Sequence, residues 1–139
     1  NELLKNDVEL FVDEIITTEF PDLEIANDDH YMTEFHDLKL AIKIVGDLDE
    51  AIQHIEKYSS GHTEAIISES NEVANIFSKS IDSSVIFINA STRFTDGEMF
   101  GFGAEVGIST QKLHARGPMG LESLTNERYV VEGSGTIRK

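Results

Sequence analysis

Apolar residues at Leu4, Val8, Phe11, Val12 and Ile15 fall at helical spacing, with Lys5, Glu9, Asp13 and Glu14 on the other faces. This predicts an opening amphipathic helix, ended by Pro21, which pushes the residue before it out of the helical region. Leu23-Glu24-Ile25 predicts a short strand and Asn27-Asp28-Asp29-His30 a polar loop. From Leu38 to Val45 the pattern alternates and is rich in branched residues, which predicts a strand. Asp47 then caps a helix running to about Tyr58, with Glu50 at the capping-box position, an apolar stripe at Leu48, Ala51, Ile52 and Ile55, and Ser59-Ser60-Gly61 as its stop. Ala65-Ile66-Ile67 reads as the next strand, Asn71 to Ser80 as the next helix with Val73, Ala74, Ile76 and Phe77 inward, and Ser84 to Ile88 as the third strand. The order β-α-β-α-β predicts the α/β class with a mostly parallel sheet and right-handed crossovers.

A parallel sheet gathers ligands beyond the carboxyl ends of its strands. The segment leaving the third strand, Asn89-Ala90-Ser91-Thr92-Arg93-Phe94-Thr95-Asp96-Gly97, is dense in donors and ends in a flexible turn. On physical grounds it is the best site candidate in the chain. Beyond it, six of the ten glycines fall within a 24-residue window from Gly97 to Gly120, interrupted by Phe100 and Phe102, which predicts a shaped loop pressed against a ligand or another backbone. Arg128-Tyr129-Val130-Val131-Glu132 is a last strand candidate.

The charge narrows the choice of partners. The 139 residues carry 26 acidic and 11 basic side chains, a formal net charge of -15. Residues 1–72 hold 19 Asp and Glu against 4 Lys, whereas residues 73–139 hold 7 of each sign, including all four arginines. An acidic first half repels phosphate backbones, so nucleic-acid binding there is not expected, and anion recognition belongs to the second half. No apolar run is long enough to span a membrane, and Asn1-Glu2-Leu3-Leu4 lacks the basic head of a signal peptide. The length suits one domain. There is no cysteine, hence no disulfide, thiolate metal site or thiol nucleophile in this chain.

Other motifs carry less. Gly101-Phe102-Gly103-Ala104-Glu105-Val106-Gly107 has its third glycine one residue late for a dinucleotide fingerprint, and no strand leads directly into it. Asp28, Asp29, His30, Glu34 and His36 have no recognised metal-ligand spacing and read as surface polar residues. His54 and His62 stand alone, and His114 could bind an anion or contact a neighbouring element, with contact the favoured reading. Ser91 has no accompanying base, so it suits hydrogen bonding to a polar substrate and not nucleophilic attack.

Two stretches go beyond pattern. Val85 to Gly97, followed by Phe100 to Glu122 with its Gly101-Phe102-Gly103-Ala104-Glu105-Val106-Gly107-Ile108-Ser109-Thr110-Gln111-Lys112-Leu113-His114-Ala115-Arg116-Gly117-Pro118 core, closely resembles the C-terminal part of γ-glutamyl phosphate reductases. Thr33-Glu34-Phe35, Leu38 to Val45, Asp47 to Ile52 and Gly61 to Ile66 match the same family in the same order, so the resemblance runs from about residue 30 onward and more weakly before. It implies that residues 1–139 form the C-terminal part of an aldehyde-dehydrogenase-like catalytic domain, without the cofactor-binding domain. It also implies a cytoplasmic, NADPH-dependent reduction of L-glutamyl 5-phosphate to the semialdehyde in proline biosynthesis. In the family a cysteine thiolate attacks the acyl phosphate and hydride then reduces the thioester, so this chain is not expected to turn over alone.

Residue by residue, the resemblance places Glu34 and Phe35 at the nicotinamide ribose, where a carboxylate accepts two hydroxyl hydrogen bonds. Without it, Glu34 reads as one more surface carboxylate. Asn89, Ser91, Thr92 and Arg93 match the substrate-side loop, with Arg93 on a substrate carboxylate. Phe100 to Glu105 would line the mouth of the tunnel, and Lys112, His114 and Arg116 would serve architecture or subunit contacts. One departure is Glu98, where the family pattern has a glycine, so that a negative charge stands near the substrate loop. Strands cut off from their neighbours would leave unpaired edges, which opens the way to a homo-oligomer. The alternative from another class is a binding or assembly module that keeps the fold without chemistry. The coding sequence preceding Asn1 discriminates between the two.

Overall fold

The computed structural model describes residues 2–103, 106–112, 114–134 and 137. A short helix α1 (Glu2–Lys5) leads into strand β1 (Glu9–Val12), helix α2 (Glu14–Thr17), strand β2 (Glu24–Ile25) and helix α3 (Asp28–Met32). Then come β3 (Lys39–Ile42), α4 (Leu48–Tyr58), β4 (Thr63–Ile66), α5 (Asn71–Ser80) and β5 (Val85–Ile88). A 3-10 turn (Thr92–Phe94), the strands β6 (Val106–Ile108) and β7 (Gly117–Met119), and a second 3-10 turn (Leu121–Leu124) complete the order.

The expected opening helix is a strand in its middle. β1 lies between β2 and β3, parallel to both, with Phe11 paired to Glu24 and Ala41 and Val12 paired to Ile25 and Ile42. Leu10, Phe11 and Val12 are all buried, Val12 completely at 0% exposed. A strand covered on both faces reads as a continuous apolar run and not as an alternation, so these three residues fit either element. The backbone decides, because Asp7 takes a left-handed conformation (φ 56°) that breaks a helix before Val8. The second correction is α3, which forms where a polar loop was expected. The Asn27 side chain accepts from His30 N–H at 3.1 Å, His30 Nδ1 accepts from Asn27 N–H at 3.2 Å, and Asp28 and Asp29 sit at the positive helix start.

Asp13 joins these pieces. Its carboxylate caps α2 through Ile16 N–H (3.0 Å) and accepts Ile44 N–H (2.6 Å) just beyond β3. Partial desolvation pushes the carboxyl up, but the backbone donors of Ile44 and Ile16 outweigh it, and the group titrates below the ordinary carboxylate range.

The β-α-β-α-β order appears as expected, and its strands lie in two parallel sheets, β2-β1-β3 and β4-β5. Asp47 caps α4 by accepting Glu50 N–H at 2.9 Å. The Glu50 carboxylate reaches one residue further back than a capping box would, to Gly46 N–H at 2.8 Å, and pairs with Lys43 at 3.3 Å. Ser70 caps α5 through Val73 N–H. Ile52 of α4 and Phe77 and Ile81 from α5 and its cap form the core over β4 and β5, with Leu48, Ile55, Ile66 and Ile86 packed against it.

The last part is tied down by charge. β6 and β7 pair antiparallel, Val106 with Met119 and Ile108 with Gly117. Asp82, just after α5, binds Lys112 and Arg116 from the segment joining them, with Arg116 Nη1 at 2.8 Å and Nη2 donating to the Asp82 carbonyl at 2.5 Å. Lys112 and Arg116 hold the Asp82 carboxyl down at about 2. Architecture is thus their role in the structure. Gly120 is required by packing, since a Cβ there would lie 2.5 Å from the Phe102 carbonyl oxygen. The expected strand at Arg128 to Glu132 does not form: the segment is irregular, with Tyr129 84% and Val131 93% exposed. A strand needs a neighbour for its N–H and C=O groups, and none of the described residues supplies one.

Two measurements follow. Asp13→Ala should lower stability by about 1–2 kcal/mol, the cost of a lost helix cap, read as a fall in thermal midpoint; an unchanged midpoint would remove Asp13 as a joint. Asp13 and Asp82 both titrate lower folded than unfolded, so their stabilisation is complete above the unfolded carboxylate range near pH 4 and is lost below it, for Asp82 as pH falls through about 2. Asp82→Asn should flatten the acid limb of the midpoint-against-pH curve; an identical limb would show that the clamp contributes nothing there.

Candidate functional site

β4 and β5 run parallel with Thr63 opposite Val85 and Ile66 opposite Ile88, so both chains leave the sheet at the same end. There Asn89 takes a left-handed backbone (φ 54°), which asparagine tolerates better than most residues. Its N–H donates to the Ile66 carbonyl at 2.8 Å. Its side-chain oxygen accepts Ser68 N–H at 2.8 Å and its side-chain N–H donates to the Ser68 carbonyl at 3.0 Å. Asn89 therefore imitates one more rung of the parallel ladder, and its amide is engaged with protein backbone.

The bracket delivers the chain to Ser91, whose hydroxyl accepts Arg93 N–H at 3.2 Å and so starts the 3-10 turn. Thr95 closes the turn, its N–H donating to the Thr92 carbonyl at 3.0 Å. Asp96 then accepts Glu98 and Met99 N–H at 2.7 and 3.1 Å, bending the chain around the buried Gly97. Arg93 is exposed, and among the described residues its guanidinium has no hydrogen-bonded or ion-paired partner. Glu98, five residues further on, is exposed as well.

A cleft of about 850 Å³ opens next to this turn. It brings Glu34 and Thr92 together, although 58 positions separate them in the chain. Glu34 is an open carboxylate, 85% exposed at the side chain, with His36 at 3.9 Å. Phe35 lies behind it and stacks on Phe11 of β1 (5.3 Å, 22°), which stacks in turn on His30 (4.0 Å, 25°). Asn89, Ser91, Arg93 and Phe35 do not line the cleft; they hold or flank the residues that do. Phe100 and Phe102 stack at 6.0 Å, both about half exposed. Ala104 and Glu105 of the expected tunnel mouth lie outside the described residues.

Two histidines that look isolated along the chain are not isolated in space. His54 meets Tyr31 edge-on at 4.8 Å and Tyr58 at 4.7 Å, forming an aromatic wall of the cleft. Burial, with Lys43 and Lys57 nearby, holds its imidazole below the ordinary histidine range and neutral at pH 7. Tyr58 donates to Asp28 at 2.6 Å, and this bond together with Lys57 lowers the Asp28 carboxyl. His62 contacts Thr63, and Thr63 contacts Thr95. The i, i+4 spacing of His54 and Tyr58 is a legible signal for one shared helix face. Thr63 and Thr95, 32 residues apart, carry no such signal.

The comparisons with known proteins decide the family. A γ-glutamyl phosphate reductase from Caldanaerobacter subterraneus subsp. tengcongensis is 54% identical over 138 residues, covering 99% of this chain and 33% of the relative. One from Thermoanaerobacter sp. (strain X514) is 56% identical over 119 residues, covering 86% of this chain and 29% of the relative. The crystal structure of γ-glutamyl phosphate reductase from Thermotoga maritima superposes with a TM-score of 0.85 at 50% identity, over 99% of this chain and 33% of that one. The chain belongs to the γ-glutamyl phosphate reductase family. It spans about a third of the length of the curated relatives it matches. No protein-family model matches the chain. Among the described residues, no helix is long and apolar enough to cross a membrane.

The Asn89 bracket is open to a direct test. Asn89→Ala removes both side-chain bonds and keeps a Cβ at positive φ without the polar side chain that lets asparagine tolerate it, a conformation costing roughly 1–2 kcal/mol, whereas Asn89→Gly loses the bonds but relieves that strain. The thermal midpoint should fall further for Asn89→Ala than for Asn89→Gly, and equal midpoints would show that backbone strain is not part of the bracket.

Proposed function

We propose that this chain forms the C-terminal part of the catalytic domain of a cytoplasmic, NADPH-dependent γ-glutamyl phosphate reductase. The full enzyme would reduce L-glutamyl 5-phosphate to L-glutamate 5-semialdehyde and phosphate, as a step of proline biosynthesis. The observation that carries this reading is the turn from Ser91 to Thr95, anchored at the sheet end and opening beside a cleft that also holds Glu34.

In this reading Arg93 binds the carboxylate of the γ-glutamyl group. A guanidinium at a solvent-exposed turn keeps its five donors free until an anion arrives. Thr92, on the cleft side, orients the same substrate by hydrogen bonding, and Ser91 and Asn89 keep the turn in shape. Glu34 accepts the ribose hydroxyls of the nicotinamide nucleotide, for which its open carboxylate is suited. Phe35, braced by Phe11, fixes where Glu34 stands.

NADPH supplies hydride when bound. The residues of this chain fit one end of it, the ribose next to the nicotinamide. The chain has no cysteine, so the thiolate that opens the acyl phosphate would come from another part of the longer protein. Covalent capture divides a difficult reduction into loss of phosphate and hydride transfer, and the role of this chain is to position and orient. Self-association through unpaired strand edges fits the same picture, because β3 and β4 each pair on one side only among the described residues.

Steady-state kinetics of a full-length reductase carrying this segment tests the assignment. Arg93→Ala should raise the KM for the γ-glutamyl substrate, a loss of about 1.5–3 kcal/mol for a charge-assisted contact, and leave the KM for NADPH unchanged. Equal rises in both constants would take Arg93 out of the substrate pocket.

A further inference from the structure

The cleft contains a hydrogen-bonded chain that the roles above do not use. His62 Nδ1 lies 2.7 Å from Thr63 Oγ1, and Thr63 Oγ1 donates to Thr95 Oγ1 at 3.2 Å. All three residues line the cleft. A threonine hydroxyl carries one proton. In the His62 tautomer that carries its proton on Nδ1, Nδ1–H donates to Thr63 and Thr63 donates to Thr95. Polarity then runs one way, from imidazole through Thr63 to Thr95, and the Thr95 proton is left over for the cleft.

The surroundings hold this chain in place. Nδ1 is occupied, and the opposite edge of the ring rests on bare backbone: a Cβ on Gly107 would lie 2.7 Å from His62 Nε2. Thr95 is fixed in turn by closing the 3-10 turn through its own N–H. Its hydroxyl therefore belongs to the same rigid turn as Arg93, two residues away.

We infer that Thr95 is a further substrate contact whose hydroxyl, aimed by the His62–Thr63 chain, donates to an anionic oxygen of the γ-glutamyl substrate. His62 is a positioning residue that acts through Thr63. The inference rests on the substrate role proposed for the Ser91–Arg93 turn. A donor already accepting a hydrogen bond is polarised by it and binds an anion more strongly than a lone hydroxyl.

The test is steady-state kinetics of a full-length reductase carrying this segment, comparing Thr95→Val, Thr95→Ser, His62→Leu, His62→Asn and Arg93→Ala with the unmutated enzyme. Thr95→Val should raise the KM for the γ-glutamyl substrate about tenfold, as expected for one hydrogen bond to a charged group, with the KM for NADPH unmoved. Thr95→Ser should restore it to within about twofold. His62→Leu should raise the same KM about threefold, and His62→Asn, which keeps a donor near the Nδ1 position, should return it. If Arg93→Ala raises that KM and Thr95→Val does not, the inference is overturned while the substrate reading stands. If neither moves it, or the unmutated enzyme does not turn over, both fall. Should Thr95→Val fail to fold, the His62 pair decides, and equal KM values in His62→Leu and His62→Asn overturn the chain.

Discussion

Parallel pairing of Thr63–Ile66 with Val85–Ile88 makes both strands point their carboxyl ends the same way, and everything at the site inherits that direction. The pairing stands because α4 and α5 bury Ile52, Phe77 and Ile81 against it. Asn89 carries it one step past the strand by replacing a backbone rung with its own amide. From that point Ser91, Thr95 and Asp96 each satisfy nearby backbone N–H groups or close the turn, so its shape is set before any ligand binds. A preformed turn loses little entropy on binding, which is the physical advantage of building recognition on it.

The acidic composition is distributed with some order. Several carboxylates of the first half are engaged: Glu9 with Lys39, Asp28 with Lys57, and Glu50 with Lys43 and a backbone N–H. In the second half the basic residues divide between two uses. Lys112 and Arg116 close on Asp82 and fasten the β6–β7 pair to the sheet region, whereas Arg93 stays unpaired among the described residues beside the cleft. Identical chemistry thus serves structure where a partner lies within reach and, in the proposed function, recognition where none does.

Family likeness and geometry support different parts of the account. Identity of 50–56% to γ-glutamyl phosphate reductases, and a superposition at a TM-score of 0.85, fix the family and the fold. They leave open which atoms meet substrate. That question turns on individual side chains: an amide committed to Ser68 in Asn89, an open carboxylate in Glu34, and a hydrogen-bonded chain from His62 through Thr63 to Thr95.

Much was determined by the sequence alone. Asp47 caps the helix it was expected to cap, α5 keeps the expected bounds, and the β-α-β-α-β order is present, because capping and periodicity are local properties. Only the tertiary structure decided that Leu10-Phe11-Val12 is a central strand, since the run suits helix or strand until two neighbours claim its backbone. It also decided that Arg128 to Glu132 is not a strand among the described residues, for the opposite reason. The cleft belongs to the same class: Glu34 and Thr92 come to line one cavity, and Thr63 bonds Thr95, through the crossing of elements distant in sequence. Local rules specify caps and helix periods, whereas the choice of strand for an ambiguous apolar run, the partners of that strand and the walls of a cleft are non-local and exist only after folding.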